Sequence, residues 1–458
     1  MVVKMRKYFG TDGIRRIANT ELSPELVYKV AKAGAYVLSK HTDHAPTILI
    51  GRDTRISGSL IESAMVAGFL SYGANVKILG VMPTPAVAYL TRRFKADASV
   101  VISASHNTYE FNGVKYFSNK GMKIPDELEE EIEEVMDSGK IDELTAVNDK
   151  IGVSEIRTDL LEEYVYFFRK NFEEELENLN KENFVIAVDT ANGATSVVAE
   201  KVFKKLGIKH HIINNTPDGI NINHNCGSTH LEGLKKFVVE NGCSLGVAYD
   251  GDGDRCLLVD ENGNEIDGDK ILAVISNYLK KKGKLKNDTV VATVMSNLGL
   301  NKYAEGHNLK LVQTKVGDRY VLEEMMKNGY NLGGEQSGHV ILLDYNPTGD
   351  GILTSLMFIQ TLLESNKKAS ELCDIIKLYP QVLVNAKVNN DKKYDFDKNE
   401  EIKEEIRKLE EEFSGNGRIL IRTSGTEPLV RVMIEGENQE YIKQKAEHLA
   451  KLIEEKLQ

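Results

Sequence analysis

Short apolar runs, each closed by a polar turn and followed by an amphipathic stretch, recur along the chain. Thr47-Ile-Leu-Ile-Gly-Arg52 reads as a buried strand, followed by helical spacing over 60–71, then Gly73 and a second strand over 75–79. The order returns from Phe184, with a strand to Asp189, a helix over 197–206, Gly207 and a strand over 208–213. It returns again from Thr289, ending in a strand over 309–313. Strand, turn, helix, glycine and strand form the βαβ unit of an α/β layer. Each copy then supplies one more strand that runs into a loop rich in chemistry: 98–107, 245–255 and 330–339. Ligands collect at the carboxyl ends of strands in open α/β sheets, so three such loops predict one shared cleft. Three independent domains with merely polar loops are the plainer alternative.

The last part reads differently. A charged helix over 398–413 precedes a strand–loop–strand over 417–436 and a terminal helix over 439–456. The expected fold is therefore α/β: three similar α/β domains, each a mixed sheet between helices, plus a smaller α+β C-terminal domain around one central cleft. Boundaries are placed at 1–155, 156–256, 257–370 and 371–458. Two charged helices, over 126–136 and 173–182, read as solvated faces without functional signal.

Composition narrows the class. A length of 458 residues fits three or four domains. Hydrophobic residues make up 41%, enough for substantial cores. A net charge of −11 argues against nucleic acid as a partner, since such proteins present a basic face. Cys226, Cys243, Cys256 and Cys373 form no CxxC pair, so free thiols in a reducing compartment are expected. The first residues lack the apolar core of a signal peptide, and no apolar run nears the ~20 residues of a membrane span. The expectation is a cytoplasmic protein with no membrane partner.

The densest chemistry is Asp250-Gly-Asp-Gly-Asp-Arg255 at the end of a buried strand. Alternate residues of an extended chain point the same way, and the interleaved glycines let the carboxylates of Asp250, Asp252 and Asp254 converge. Hard oxygen anions so close repel unless a cation sits among them. Mg²⁺ suits them and completes its shell with phosphate or water. An EF-hand also offers Asp250, Asp252, Asp254 and Glu261 at its ligand spacing, but Arg255 stands where its sharp turn needs Gly, and the flanks read as a hairpin.

Ser105, in Ser103-Ala-Ser-His-Asn107, has no Gly-x-Ser-x-Gly elbow to make it a hydrolase nucleophile. Beside a magnesium cluster it makes better sense as a phosphoryl carrier, whose phosphate would supply the missing metal ligand. Arg422-Thr-Ser-Gly-Thr-Glu427 places Ser424, Gly425 and Thr426 in an anion nest, with Arg422 and Arg431 to bind phosphate. Gly334-Glu-Gln-Ser-Gly-His339 sets a carboxylate, a hydroxyl and an imidazole side by side, suited to sugar hydroxyls. Lys115 follows the serine loop and Arg15 closes Phe9-Gly-Thr-Asp-Gly-Ile-Arg15. Taken alone, the serine triplet is ordinary turn chemistry and a lone histidine, Lys115 or Arg15 an ordinary side chain, whereas the phosphate nest has a plain hairpin loop as its lesser alternative.

Together and in this order, these motifs resemble the α-D-phosphohexomutase family across essentially the whole chain. Within it, Gly-Thr-Asp-Gly-Ile-Arg, Gly-Glu-Gln-Ser-Gly-His and Val316-Gly-Asp-Arg-Tyr320 resemble most the members acting on glucosamine phosphates. The resemblance implies that Ser105 is the phosphoserine and that Asp250, Asp252 and Asp254 hold Mg²⁺ with it. It assigns the sugar to Glu335 and Ser337, and the non-reacting phosphate to Arg422, Ser424, Gly425, Thr426 and Arg431. Arg15, Lys115 and His339 become the polar groups near the transferring oxygen, and Gln336 favours a 2-amino group. The implied reaction interconverts glucosamine 6-phosphate and glucosamine 1-phosphate through a 1,6-bisphosphate, with glucose or mannose phosphates as the alternative substrates. A magnesium phosphatase and a noncatalytic sugar-phosphate sensor are the rivals from other classes. A homodimer is compatible with the resemblance. Two departures from it are Thr108, where the family usually has Pro, a change expected to loosen the serine loop, and Arg16, where Gly is common.

Overall fold

The structure, a computed structural model, describes residues 7–10, 12–424 and 428–458. The chain divides into two compact units, Met1–Met295 with Lys310–Asp374, and Ser296–Leu309 with Ile375–Gln458. The first unit contains three mixed sheets, which share one construction.

In the first sheet the strands lie in the order Ile14–Ile17, Phe111–Ser118, Ala98–Ile102, Thr47–Arg52, Asn75–Val81 and Ser154–Ile156. The last four run parallel, while Phe111–Ser118 is antiparallel to both neighbours. The second sheet has the order Glu265–Ile266, Cys256–Asp260, Leu245–Tyr249, Val185–Asp189 and Lys209–Ile213. Its last three strands are parallel, Cys256–Asp260 is antiparallel to them, and Glu265–Ile266 is antiparallel to Cys256–Asp260 in turn. The third sheet, Lys310–Thr314, Thr289–Thr293, Leu332–Gly334 and Val340–Leu342, repeats the pattern. Each chemical loop is therefore the same connection: the turn between a parallel strand and its antiparallel return.

Local sequence explains the elements. Ala98–Ile102, Leu245–Tyr249 and Thr289–Thr293 are buried at every residue, as the unalternating apolar runs require. Helix Pro24–Ser39 starts with Ser23 accepting from the Leu26 N–H and with Pro at its first position. It packs on Gly58–Tyr72, and Val27, Val30, Ile61, Met65 and Phe69 join the core over the first sheet.

The second unit is built on an antiparallel sheet in the order Gln381–Lys387, Leu429–Gly436, Gly417–Thr423. Helices Glu400–Phe413 and Gln439–Lys456 cover it through Ile402, Leu409, Ile442, Leu449 and Ile453. Helix Leu298–Gly306 belongs to this unit, with the Leu298 N–H donating to buried Glu435.

Two expectations need correction. The charged helix placed over 173–182 is the tail of Leu161–Glu177, whose buried face carries Tyr164, Phe167, Phe168 and Phe172. Asn178-Leu-Asn180 stops it, asparagine being a weak helix former. The stretch after the serine loop, read only for its lysine, is the eight-residue strand Phe111–Ser118.

Candidate active site

Ser105 lies at the tip of the first return loop with φ +53°, a left-handed backbone that non-glycine residues rarely adopt. Its surroundings enforce it. The Ser105 N–H donates to Ser103 Oγ (2.9 Å), which itself donates to Asp53 Oδ2 (2.6 Å). Arg55, fully buried and paired with Asp53 at 2.8 Å, donates through Nη2 to the carbonyls of Ser105 (3.0 Å) and Asn107 (2.8 Å). Through Nη1 it reaches those of Thr108 and Phe111. Asn223 Nδ2, from the second domain, donates to the Ser105 and Asn107 carbonyls at 2.9 Å each. All of these grips are on backbone, so the carbonyl of Thr108 is held although its side chain departs from the family pattern.

The second return loop brings its carboxylates to this serine. The Ser105 hydroxyl donates to Asp250 Oδ2 at 2.7 Å. One carboxylate oxygen each from Asp250, Asp252 and Asp254 lies within 4.8 Å of the others, and all three residues are buried. Burial first, and then Asp254 and Asp252, push the Asp250 carboxyl well above the usual range. Burial acts the same way on Asp254, but Lys115, His339 and Arg255 hold it well below. The Thr84 hydroxyl and Lys115 Nζ donate to Asp252 Oδ2 at 2.7 and 2.9 Å. Asp252 Oδ1 and Asp254 Oδ1 are buried with no hydrogen-bond partner. Orphaned buried carboxylate oxygens beside an acidic neighbour fit a hard divalent cation, and an all-oxygen set including a hydroxyl suits magnesium.

Lys115 reaches the trio from strand Phe111–Ser118, where alternation turns its side chain inward. It is buried, with Nζ also 3.2 Å from Asp12 and 3.8 Å from Asp254. Burial opposes its charge, yet Asp12, Asp252 and Asp254 raise its pKa above the ordinary lysine value. Arg15, on Ile14–Ile17, donates to Asn107 Oδ1 (3.2 Å) and to Asp12. His106 Nδ1 sits 3.4 Å from Ser105 Oγ; burial, Arg255 and Arg15 lower its pKa to about 4, so this imidazole is neutral at physiological pH.

The third return loop is a tight turn in which the Gly338 N–H donates to the Glu335 carbonyl (3.0 Å). His339 is buried, with Nδ1 3.6 Å from Asp254 Oδ2 and Nε2 3.5 Å from Asp318 Oδ2. Burial lowers its pKa, while Asp254 and Asp318 outweigh that and raise it. The Gly349 N–H donates to Nε2 at 3.0 Å, a direct contact that sets the proton on Nδ1, toward Asp254; a second proton would displace that amide. Glu335 accepts from the Gly317 N–H (3.2 Å), and burial raises its pKa although His339 and Arg255 oppose this. Ser337 is half-buried on the turn, and Gln336 Nε2 donates to Asp267 at 3.3 Å.

Ser105, Asp250, Asp252, Asp254, Lys115, Arg15, Glu335 and His339 are thus linked into one continuous polar cluster. Ser337 lies in the same unit, on the turn beside Glu335, while the residues expected to bind the non-reacting phosphate belong to the second unit. There Arg422 and Arg431 are directly opposed across two antiparallel strands, and burial and Arg431 lower the Arg422 pKa. Like charges so paired repel, the arrangement an anion relieves. Ser424 is buried, and its carbonyl accepts from Lys393 Nζ at 3.0 Å. Gly425 and Thr426 lie outside the described residues.

Sequence reasoning passed over Arg55, Asn223, Thr84, Asp12 and Arg255. The Arg255 N–H donates to Asp250 Oδ1 (3.1 Å), and Asp254, Asp250, Glu335 and Asp12 raise its pKa against burial. Arg255 and Asp12 stand inside quoted motifs and could be read from them. Arg55 acts on backbone 50 residues and more along its own domain, and Asn223 on backbone of another domain, which leaves no local mark.

Four family models match the chain: Phosphoglucomutase/phosphomannomutase alpha/beta/alpha domain I over 6–142, domain II over 162–263, domain III over 267–379 and the C-terminal domain over 383–452. The phosphoglucosamine mutase of Acetivibrio thermocellus is 54% identical, covering 99% of this chain and 100% of its own. That of Clostridium acetobutylicum is also 54% identical, with 99% and 100% covered. Among solved structures, a phosphoglucomutase/phosphomannomutase family protein from Burkholderia thailandensis superposes with a TM-score of 0.79 at 20% identity, covering 97% of this chain and 96% of that one. Aspergillus fumigatus N-acetylphosphoglucosamine mutase, in complex with GlcNAc-6P and magnesium, gives 0.70 at 17% identity, with 98% and 96% covered.

Proposed function

Since the chain belongs to the phosphoglucomutase/phosphomannomutase family, the α-D-phosphohexomutases, we propose that it is a phosphoglucosamine mutase interconverting glucosamine 6-phosphate and glucosamine 1-phosphate. One observation carries the chemistry: the Ser105 hydroxyl, on a strained and heavily clamped loop, donates to the first carboxylate of the acidic trio at 2.7 Å. The identity of the sugar rests on relatives 54% identical over the full length.

In this reading Ser105 carries a phosphoryl group. The bond from phosphorus to Ser105 Oγ breaks as phosphorus bonds the free hydroxyl of the bound hexosamine phosphate; that hydroxyl loses its proton, and Ser105 Oγ regains one. The resulting 1,6-bisphosphate turns over, and its other phosphate returns to Ser105. Phosphoryl transfer depends mainly on positioning and charge. Magnesium, held by Asp250, Asp252 and Asp254 with the phosphoserine, would when bound neutralise charge on the transferring group. Lys115, Arg15 and His339 are the groups for the sugar oxygen and its proton. Glu335 and Ser337 take the sugar hydroxyls, with the Gln336 carbonyl as acceptor for the 2-amino group. Arg422, Ser424, Gly425, Thr426 and Arg431 take the non-reacting phosphate.

Buried free thiols at all four cysteines support a cytoplasmic setting. Among the described residues no helix is long and apolar enough to cross a membrane. The edge strand Ser154–Ile156 of the first sheet, flanked by exposed Val153 and carrying exposed Ile156, supports a homodimer.

The deciding experiment compares kcat/KM on glucosamine, glucose and mannose 6-phosphates with magnesium present. A single polar contact is worth roughly 1–3 kcal/mol, so a preference for glucosamine of about tenfold or more is expected. A preference for glucose or mannose would move the protein to the phosphoglucomutase/phosphomannomutase activity, and net phosphate release would make it a phosphatase.

A further inference from the structure

The segment Val316-Gly-Asp-Arg-Tyr320 plays no part in the reaction outlined above, yet it opens helix Asp318–Asn328 against the first domain. Lys123, two residues past Gly121 in the first domain, inserts Nζ between Asp12, which it contacts directly, and Asp318 Oδ2 at 2.6 Å. Next to it Arg319 pairs with Asp126 of the first domain and with Glu323 of its own helix, the latter at 2.7 Å. Lys123 and Asp126 on one side thus meet Asp318 and Arg319 on the other with charges alternating.

Each end of this seam leads to the active site. Asp12 holds Arg15, and lies 3.2 Å from Lys115 Nζ. Asp318 lies 3.5 Å from His339 Nε2, and the preceding Gly317 N–H is hydrogen-bonded to Glu335. The path closes through Asp254, which is near both His339 (3.6 Å) and Lys115 (3.8 Å). Lys123 keeps its charge against burial because Asp12 and Asp318 flank it, and Lys123 in turn keeps Asp318 ionised. Removing one member of such a buried set leaves its partners uncompensated.

We infer that Lys123 and Asp318 are positioning residues, whose ion pair across the first and third domains fixes Arg15 and Lys115 through Asp12 on one side and His339 and Glu335 on the other. Neither side chain is asked to touch the substrate. The inference rests on the mutase reading for its kinetic test, and on geometry alone for its spectroscopic one.

The experiment uses Lys123→Met, Asp318→Asn and the double variant in the full chain, each assayed on glucosamine 6-phosphate with magnesium. Each single change is expected to lower kcat by about 10- to 100-fold, the range for partners that orient a reacting group, with KM nearly unchanged. The double variant should lose no more than the worse single, since both residues act as one unit. It also removes the opposite charges as a pair, and so keeps the test open should a single variant fail to fold. An unchanged kcat with only a lowered melting temperature, or losses that multiply in the double variant, overturns the inference. Were the wild-type protein to turn over no sugar phosphate, the mutase reading would fail separately. The ¹³C-labelled His339 ring resonances, assigned with His339→Gln, would then decide. They should shift in both single variants, and resonances that stay in place overturn the inference.

Discussion

Arg55 shows how much rests on single side chains. It is buried against Asp53 and donates to backbone carbonyls over residues 105–111, so it shapes the loop that carries Ser105. Arg55→Ala leaves Asp53 buried without its partner, at an expected cost of about 3–5 kcal/mol. Urea denaturation of the variant checks this; Arg55→Lys should recover little, because one ammonium cannot span the four carbonyls. Asp252→Asn tests the metal assignment at the same scale. It retains size and removes charge, so turnover should fall by more than the roughly 10- to 100-fold typical of residues that only orient a ligand. Isothermal titration with magnesium should show the binding heat lost as well.

The elements that present these side chains carry their own constraints. A Cβ at Gly193 would lie 2.4 Å from the Gly251 carbonyl oxygen and 2.7 Å from Gly251 Cα, all backbone that cannot swing aside. Gly193→Ala is expected to displace the acidic loop, destabilising the protein by about 1–3 kcal/mol and weakening magnesium binding in the same titration. Helix Gly351–Ser365 offers a pH test. Its N-cap Asp350 accepts from the Leu353 N–H, and burial raises its pKa from 3.8 to about 6. The folded state therefore binds the proton more tightly than the unfolded chain. The stability this adds is fully present below pH 3.8 and is lost as pH rises to about 6, in all about 3 kcal/mol. Melting temperatures of Asp350→Asn between pH 4 and 6 should fall less steeply than those of the wild type. The parallel strands were legible because their apolar runs are short and unbroken, as at Leu245–Tyr249, and so was the hairpin that follows the acidic loop. Phe111–Ser118 was not, because Asn112, Gly113 and Lys115 interrupt its pattern; the site uses those polar positions, and Gly113 is needed where a Cβ would meet the Ile14 and Ser103 carbonyls at 2.6 Å.

Across the whole molecule, the trio at 250–254 and the serine at 105 were legible because their chemistry is locally dense. Lys123 and Asp318 were not, since their partners lie 111 and 195 residues away for the lysine alone. Magnesium that binds only the native state should raise the melting temperature in proportion to ln(1 + [Mg]/Kd), and a chelator should reverse it. The central claim, that a phosphoryl group travels on Ser105, is tested most directly by pairing wild type and Ser105→Ala in one assay of glucosamine 6-phosphate to glucosamine 1-phosphate conversion, with the intact mass of each protein taken alongside. The wild-type protein should carry one phosphate and interconvert the sugars, whereas the variant should carry none and turn over at least about 10³-fold more slowly. Undiminished interconversion by Ser105→Ala would contradict the account.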